Sequence, residues 1–255
     1  MLMSVIEAII LGIIQGATEF LPVSSSGHLV LFNKIFNISD NFIGFSVFLH
    51  LATLFAVVIV LRKQIWWLIR HPFSSLARKL YLSTIITVVI ALIFESFFKS
   101  MFSGAYLSIF FMLTAILLVL TEFLSAKRAS HAFSYKTAIV VGIMQGIAVI
   151  PGISRSGSTI CAGVMEGANR DECAEFSFIL SIPIIIGSML FEILECVKTG
   201  APFFDAPLLQ IILAFISAFI IGLLCVKVML SVVKKAKFTP FAIYLVILSI
   251  ICLFV

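Results

Sequence analysis

Two polar, Gly- and Ser-rich segments recur at a constant offset inside an otherwise apolar chain. Gly12-Ile13-Ile14-Gln15-Gly16 returns as Gly142-Ile143-Met144-Gln145-Gly146, and Ser24-Ser25-Ser26-Gly27 returns as Ser154-Arg155-Ser156-Gly157. A weaker echo, Phe45-Ser46-Val47-Phe48-Leu49 with Phe176-Ser177-Phe178-Ile179-Leu180, follows at nearly the same spacing. The chain therefore reads as a duplicated unit, with repeats at approximately 1–124 and 138–255 inside a single membrane domain, 1–255. Each copy sets a polar loop among apolar residues, and polar groups at membrane depth are costly unless satisfied or functional.

The flanking sequence sets the class. The chain is 62% hydrophobic and only 11% charged, whereas a soluble domain carries about 25% charged residues. Six stretches read as full spans, roughly 42–61, 82–98, 105–124, 175–196, 208–233 and 239–255. The apolar pieces 4–14 with 28–36, and 138–150 with 158–166, are shorter and suit re-entrant hairpins. The expected fold is an all-α polytopic membrane protein with about six transmembrane helices plus two re-entrant helical hairpins. Three crossings per copy is an odd number, so the second copy must be inverted in topology.

The basic residues follow that plan. Arg62, Lys63, Arg70, Arg78 and Lys79 fall in one connection, Lys127, Arg128 and Lys136 in another, and Lys234, Lys235 and Lys237 in a third. The connections on the opposite side hold only Lys99 and Lys198. The basic side is therefore expected in the cytoplasm, with both termini and the first hairpin's entrance facing outward. The net charge of +5 reflects this bias and gives no argument for nucleic-acid binding. Cys161, Cys173, Cys196, Cys225 and Cys252 are scattered without CxxC spacing and read as small apolar residues. No basic region followed by a cleavage site suggests a removable signal peptide. Trp66-Trp67 reads as an interfacial anchor.

Chemistry concentrates in the two polar loops. The first runs Gln15-Gly16-Ala17-Thr18-Glu19-Phe20-Leu21-Pro22-Val23-Ser24-Ser25-Ser26-Gly27-His28. Gln15 and Glu19 are one helical turn apart, so a carboxylate and a carbonyl oxygen share a face that suits a divalent cation. Pro22 ends the entering helix, and the serines start a returning helix whose amides favour an anion. The second loop, Pro151-Gly152-Ile153-Ser154-Arg155-Ser156-Gly157-Ser158-Thr159, offers a guanidinium suited to phosphate oxygens. A metal-binding carboxylate, a nucleophile with a nearby base and a positive clamp make a kit for phosphoryl transfer.

Structural alternatives stand beside each assignment. The repeated glycines serve helix packing or turns. Ser24 and Ser26 either cap a helix or contact substrate. His50 reads as a hydrogen-bonded core residue, and Glu19 with Arg155 as either a structural ion pair or functional groups. Glu166, Arg170, Asp171, Glu172 and Glu175 read as interfacial.

The first loop resembles the first signature of the bacterial undecaprenyl pyrophosphate phosphatase family, the bacitracin-resistance type. The second is similar to that family's PGxSRSxxT signature. Glu175-Phe176-Ser177-Phe178 and Pro240-Phe241-Ala242-Ile243-Tyr244 extend the likeness along nearly the full chain. The resemblance implies an enzyme of the bacterial cytoplasmic membrane that converts undecaprenyl pyrophosphate to undecaprenyl phosphate and phosphate. Its site is expected to open to the outer face, recycling the cell-wall carrier and conferring bacitracin resistance.

The resemblance also implies roles by position. Glu19 is expected to bind Mg²⁺ or Ca²⁺, Ser25 to be the nucleophile, His28 to handle protons and Arg155 to bind phosphate. Ser24, Ser26, Ser154, Ser156 and Thr159 are expected to contact substrate. Gln15 stands where many members have Glu, leaving its share in metal binding open. Attack by His28, or by water that it activates, is the competing chemistry. Implied partners are the polyprenyl pyrophosphate lipid and the bilayer, with no nucleic acid and homo-oligomerisation left open. The alternative function is an inverted-repeat transporter or lipid flippase, since inverted repeats with re-entrant loops are also transporter architecture.

Overall fold

A computed structural model describes residues 3–36, 38, 42–125, 131–204, 206–235 and 237–255, with the side chains of 232–235 excepted. Lys127 and Arg128 lie outside the described residues, as do the side chains of Lys234 and Lys235. The described chain folds mainly into helices: α1 (Val5–Thr18), α2 (Ser25–Phe36), α3 (Phe42–Val60), α4 (Arg62–Arg70), α5 (Ser75–Ile93), α6 (Glu95–Met101), α7 (Leu107–Ser125), α8 (Tyr135–Ile147), α9 (Arg155–Met165), α10 (Arg170–Thr199), α11 (Leu208–Lys235) and α12 (Thr239–Ile251). The protein is an all-α polytopic membrane protein. Helices α3, α5, α7, α10 and α11 are long and apolar enough to cross a membrane.

Several boundaries differ from the sequence expectation. The second span begins earlier, at Ser75, because Ser74 caps the helix by accepting the Ala77 amide at 3.2 Å. Residues 95–101 form the separate helix α6 instead of extending that span. The sixth stretch holds only 13 residues of helix, about 20 Å at 1.5 Å per residue. That is shorter than the bilayer core of about 30 Å. Helix α12 packs on the membrane-crossing α7, where the Ser249 hydroxyl donates to the Ser108 carbonyl at 2.8 Å. Helix α10 runs longer than expected, over 30 residues, with Pro183 inside it.

The short helices pair as hairpins, α1 with α2 and α8 with α9. Both hairpins start alike. Ser4 and Ser134 sit at equivalent repeat positions and each caps its helix, accepting the amide of Glu7 or Thr137. Helix α1 then lies along α11, and α8 along α5. Glycine makes both approaches possible. A Cβ on Gly16 would stand 2.6 Å from the Ala218 carbonyl oxygen, and one on Gly142 would stand 2.9 Å from the Ser83 backbone. The main apolar core gathers beneath the hairpin tips around Phe20, Phe111, Leu118, Phe178 and Leu180. A second cluster around Leu11, Leu29, Leu49 and Ala214 fixes α1 against α2, α3 and α11.

Candidate active site

The two hairpin tips meet and are tied together by backbone and hydroxyl groups. Ser24, between α1 and α2, adopts the left-handed conformation with φ 67°. A non-glycine residue there requires support from its surroundings. The Ser24 hydroxyl accepts the Gly152 amide of the other tip at 3.1 Å and the Gly27 amide at 3.3 Å. Its carbonyl accepts the His28 Nδ1–H at 2.7 Å. From the second hairpin, the Ser156 hydroxyl donates to the Leu21 carbonyl at 2.9 Å. Ser25 therefore opens α2 from a turn whose shape is fixed on both sides.

Glu19 is the centre of the arrangement. It is 5% exposed. Its Oε1 accepts a charge-assisted bond from Arg155, the first residue of α9. Its Oε2 accepts the Ser25 hydroxyl at 2.5 Å and the Gln15 amide at 3.0 Å. His50 of α3 brings Nε2 to 3.3 Å from the same oxygen. The His50 Nδ1–H donates to the Ser46 carbonyl at 2.7 Å, which fixes how the ring faces Glu19. Ser25 and Arg155 occupy equivalent places in the two repeated segments, and both reach one carboxylate.

A cavity of about 160 Å³ opens beside this cluster. Glu19, Ser24, Ser25, Ser26, His50, Gln145, Ser154 and Arg155 line it on the polar side. Ile43, Val47, Phe102, Ile184 and Ile185 form an apolar wall. The cavity thus joins charged and hydrophobic surface, the division a phosphorylated lipid presents.

The motif residues do not all reach it. Ser156 and Thr159 lie outside the lining, and both bond internally. Ser156 holds Leu21, and Thr159 donates to the Arg155 carbonyl at 2.9 Å and lies 2.6 Å from the Ser177 hydroxyl. His28 is also absent from the lining. With Nδ1–H committed to Ser24, its Nε2 accepts the Tyr244 hydroxyl of α12 at 2.6 Å. The two rings stack with centroids 5.7 Å apart. Both ring nitrogens of His28 are thus hydrogen-bonded, one to Ser24 and one to Tyr244.

Residues 8–251 match the family described as bacitracin resistance protein BacA. The chain belongs to that family. An undecaprenyl-diphosphatase of Carboxydothermus hydrogenoformans is 40% identical over 250 residues, covering 97% of this chain and 96% of the relative. One from Bacteroides fragilis is 38% identical over 98% of this chain and 97% of its own length. One from Methanococcus vannielii is 35% identical over 97% and 99% respectively.

In this BacA-family chain an amide, Gln15, stands one helical turn before the carboxylate of Glu19 and donates to it. Among the described residues no group of three or more His, Cys, Asp or Glu side chains is placed to hold a metal. Gln15 Oε1, however, is buried without a hydrogen-bond partner beside the Glu19 carboxylate. An unpartnered amide oxygen beside a carboxylate would suit a hard divalent cation.

His50, Gln145, Ser46 and Ser188 also line the cavity but carried no functional assignment in the sequence. His50 is the consequential one. The sequence shows it as an imidazole inside the apolar stretch 42–61, directly after the Phe45–Leu49 echo.

Proposed function

We propose that this BacA-family protein is an undecaprenyl-diphosphate phosphatase, hydrolysing the lipid pyrophosphate to undecaprenyl phosphate and inorganic phosphate. One observation carries the reading: Glu19 receives Ser25 from its own hairpin and Arg155 from the other, at the edge of a cavity with an apolar wall.

Ser25 Oγ attacks the terminal phosphorus and the bridging P–O bond to the inner phosphate breaks. The hydroxyl proton has its acceptor in place, Glu19 Oε2. Arg155 Nη1 is buried without a partner, so one edge of the guanidinium remains to receive phosphate oxygens while the other holds Glu19. Water then cleaves the phosphoserine, releasing phosphate and restoring the serine hydroxyl. His50, bonded through the same carboxylate oxygen, is placed to assist proton movement in this conformation. His28 fixes the Ser24 carbonyl through Nδ1–H and with it the approach of Ser25, and its Nε2, now on the Tyr244 hydroxyl, is the nitrogen that would carry the acid–base role. Glu19 and Gln15 would hold Mg²⁺ or Ca²⁺, which supplies neutralisation of pyrophosphate charge when bound.

Ser24, Ser26 and Ser154 contact the phosphate groups in this reading, and Ser156 and Thr159 support the tip. The halves are inverted copies of one unit, as the matched caps and glycine contacts suggest. We place the protein in the cytoplasmic membrane with the cavity toward the outer face. The cavity lies at the Ile43 end of α3, and the basic residues Arg62 and Lys63 follow the other end. Consuming the pyrophosphate lipid there would remove the target that bacitracin sequesters.

The test is phosphate release from undecaprenyl pyrophosphate by purified protein in detergent, with added Mg²⁺ or Ca²⁺ and with chelator. Metal-dependent release supports the reading. Lipid binding without release, accompanied by lipid movement across sealed vesicles, would make the protein a transporter.

A further inference from the structure

Helix α4 contributes nothing to the cavity. It follows Leu61 at the end of a membrane-crossing helix remote from the site. Its nine residues, Arg62-Lys63-Gln64-Ile65-Trp66-Trp67-Leu68-Ile69-Arg70, divide unusually. Ile65 and Leu68 pack inward against the main core. Arg62, Lys63, Trp66, Trp67 and Arg70 are all exposed and fall on one half of the helix. The two indoles are 56% and 46% exposed, so the outward face mixes cations with aromatic surface.

These side chains are organised in pairs. The Arg70 guanidinium lies 4.8 Å from the centre of the Trp66 ring, and His71 stacks on Trp67 at 4.6 Å. No Asp or Glu occurs between residues 62 and 81. Among the described residues no carboxylate pairs with Arg62, Lys63 or Arg70. The next residues add Phe73, 84% exposed, and Arg78. A cationic face with neither counter-charge nor protein cover among the described residues, carrying interfacial aromatics at the end of a span, is complementary to anionic lipid headgroups.

We propose that the outward face of α4 is a binding surface for anionic phospholipid headgroups, with Trp66 and Trp67 seated at the headgroup level and Arg62, Lys63 and Arg70 paired to lipid phosphates. The surface is separate from the catalytic cavity, so the proposal stands apart from the phosphatase reading. It makes the bilayer's charge, and not merely its hydrophobicity, part of how this end of the protein is held.

The chain has two tryptophans, both on α4, so its intrinsic tryptophan fluorescence reports on this helix alone. The experiment reconstitutes the protein in nanodiscs built with a tryptophan-free scaffold protein, of phosphatidylcholine or of phosphatidylcholine mixed with phosphatidylglycerol. Emission wavelength and acrylamide quenching are read at low and high salt. The expected result is a shorter emission wavelength and weaker quenching in the anionic discs. High salt should reverse the difference, since the screening length falls from about 10 Å at 0.1 M to about 3 Å at 1 M. An R62Q/K63Q/R70Q variant with wild-type circular dichroism should show no dependence on lipid charge. Identical emission and quenching of the wild type in both discs would overturn the proposal. So would a lipid-dependent difference that persists unchanged in the folded variant.

Discussion

Glu19 and Arg155 form an ion pair that joins the two hairpin tips across 136 residues of sequence. The pair does two jobs at once. It compensates charges that would be costly at membrane depth, and it sets the acceptor of the Ser25 hydroxyl beside the guanidinium proposed to bind phosphate. Separate substitutions should distinguish these jobs.

Arg155→Met leaves the Glu19 carboxylate buried and uncompensated. Stability should fall by about 3–5 kcal/mol, the usual cost of removing one partner from a buried pair. Arg155→Lys keeps the charge but loses the planar fork, so most stability should remain while kcat/KM falls about 10²-fold. Thermal unfolding in detergent beside phosphate-release kinetics checks both. Full activity of the lysine variant would mean that Arg155 acts only as a counter-ion.

His28 and Tyr244 give a second separation. His28→Ala removes the donor to the Ser24 carbonyl and the acceptor of the Tyr244 hydroxyl. It should cost about 1–3 kcal/mol through unsatisfied polar groups and lower kcat by loosening the approach of Ser25. Tyr244→Phe leaves the Ser24 contact intact. It should cost about 1 kcal/mol and keep activity close to that of the wild type. Equal losses of kcat in the two variants would show that the Tyr244 bond, and not the Ser24 bond, is what the site requires.

Gln15→Glu tests the cation. The Gln15 amide donates to Glu19 Oε2, and a second carboxylate there would replace that bond with repulsion. Chelated variant protein should therefore unfold at a lower temperature than the wild type. Added Mg²⁺ or Ca²⁺ should raise its unfolding temperature more than it raises that of the wild type, because binding to the folded state stabilises it by mass action. A metal response identical to the wild type would remove Gln15 from the cation's surroundings.

The close helix contacts predict a purely structural defect. Gly16→Ala drives a methyl group toward the Ala218 carbonyl, and Gly142→Ala drives one into the Ser83 backbone. Each should cost about 1–3 kcal/mol by overpacking, measured as a lower unfolding temperature. The Gly16 change lies within one turn of Glu19 and should also reduce activity.

Much of the site was legible because charge in an apolar setting is conspicuous. Glu19 and Arg155 could be singled out from their surroundings, and the structure brings both to one cavity with Ser25. The spans were readable from apolar length, except where capping moved a boundary, as Ser74 did, or where α12 proved short and leans on α7. The direction each side chain faces was not readable. Ser156 and Thr159 share their motif with Arg155, yet helix rotation turns their hydroxyls onto backbone and neighbouring hydroxyl groups. The two imidazoles show the same limit. His28 adjoins the serines in sequence but is claimed by Tyr244, 216 residues away, whereas His50 comes to the cavity from α3. Such contacts depend on how distant helices pack, which local pattern does not encode.

The most direct measurement is rapid quenching of the enzyme with undecaprenyl pyrophosphate labelled in its terminal phosphate, followed by mapping of any phosphorylated residue. The account predicts label on Ser25, absent from Ser25→Ala and chased from the wild-type enzyme as free phosphate. Label on His28 or His50, or rapid turnover by Ser25→Ala, would contradict it.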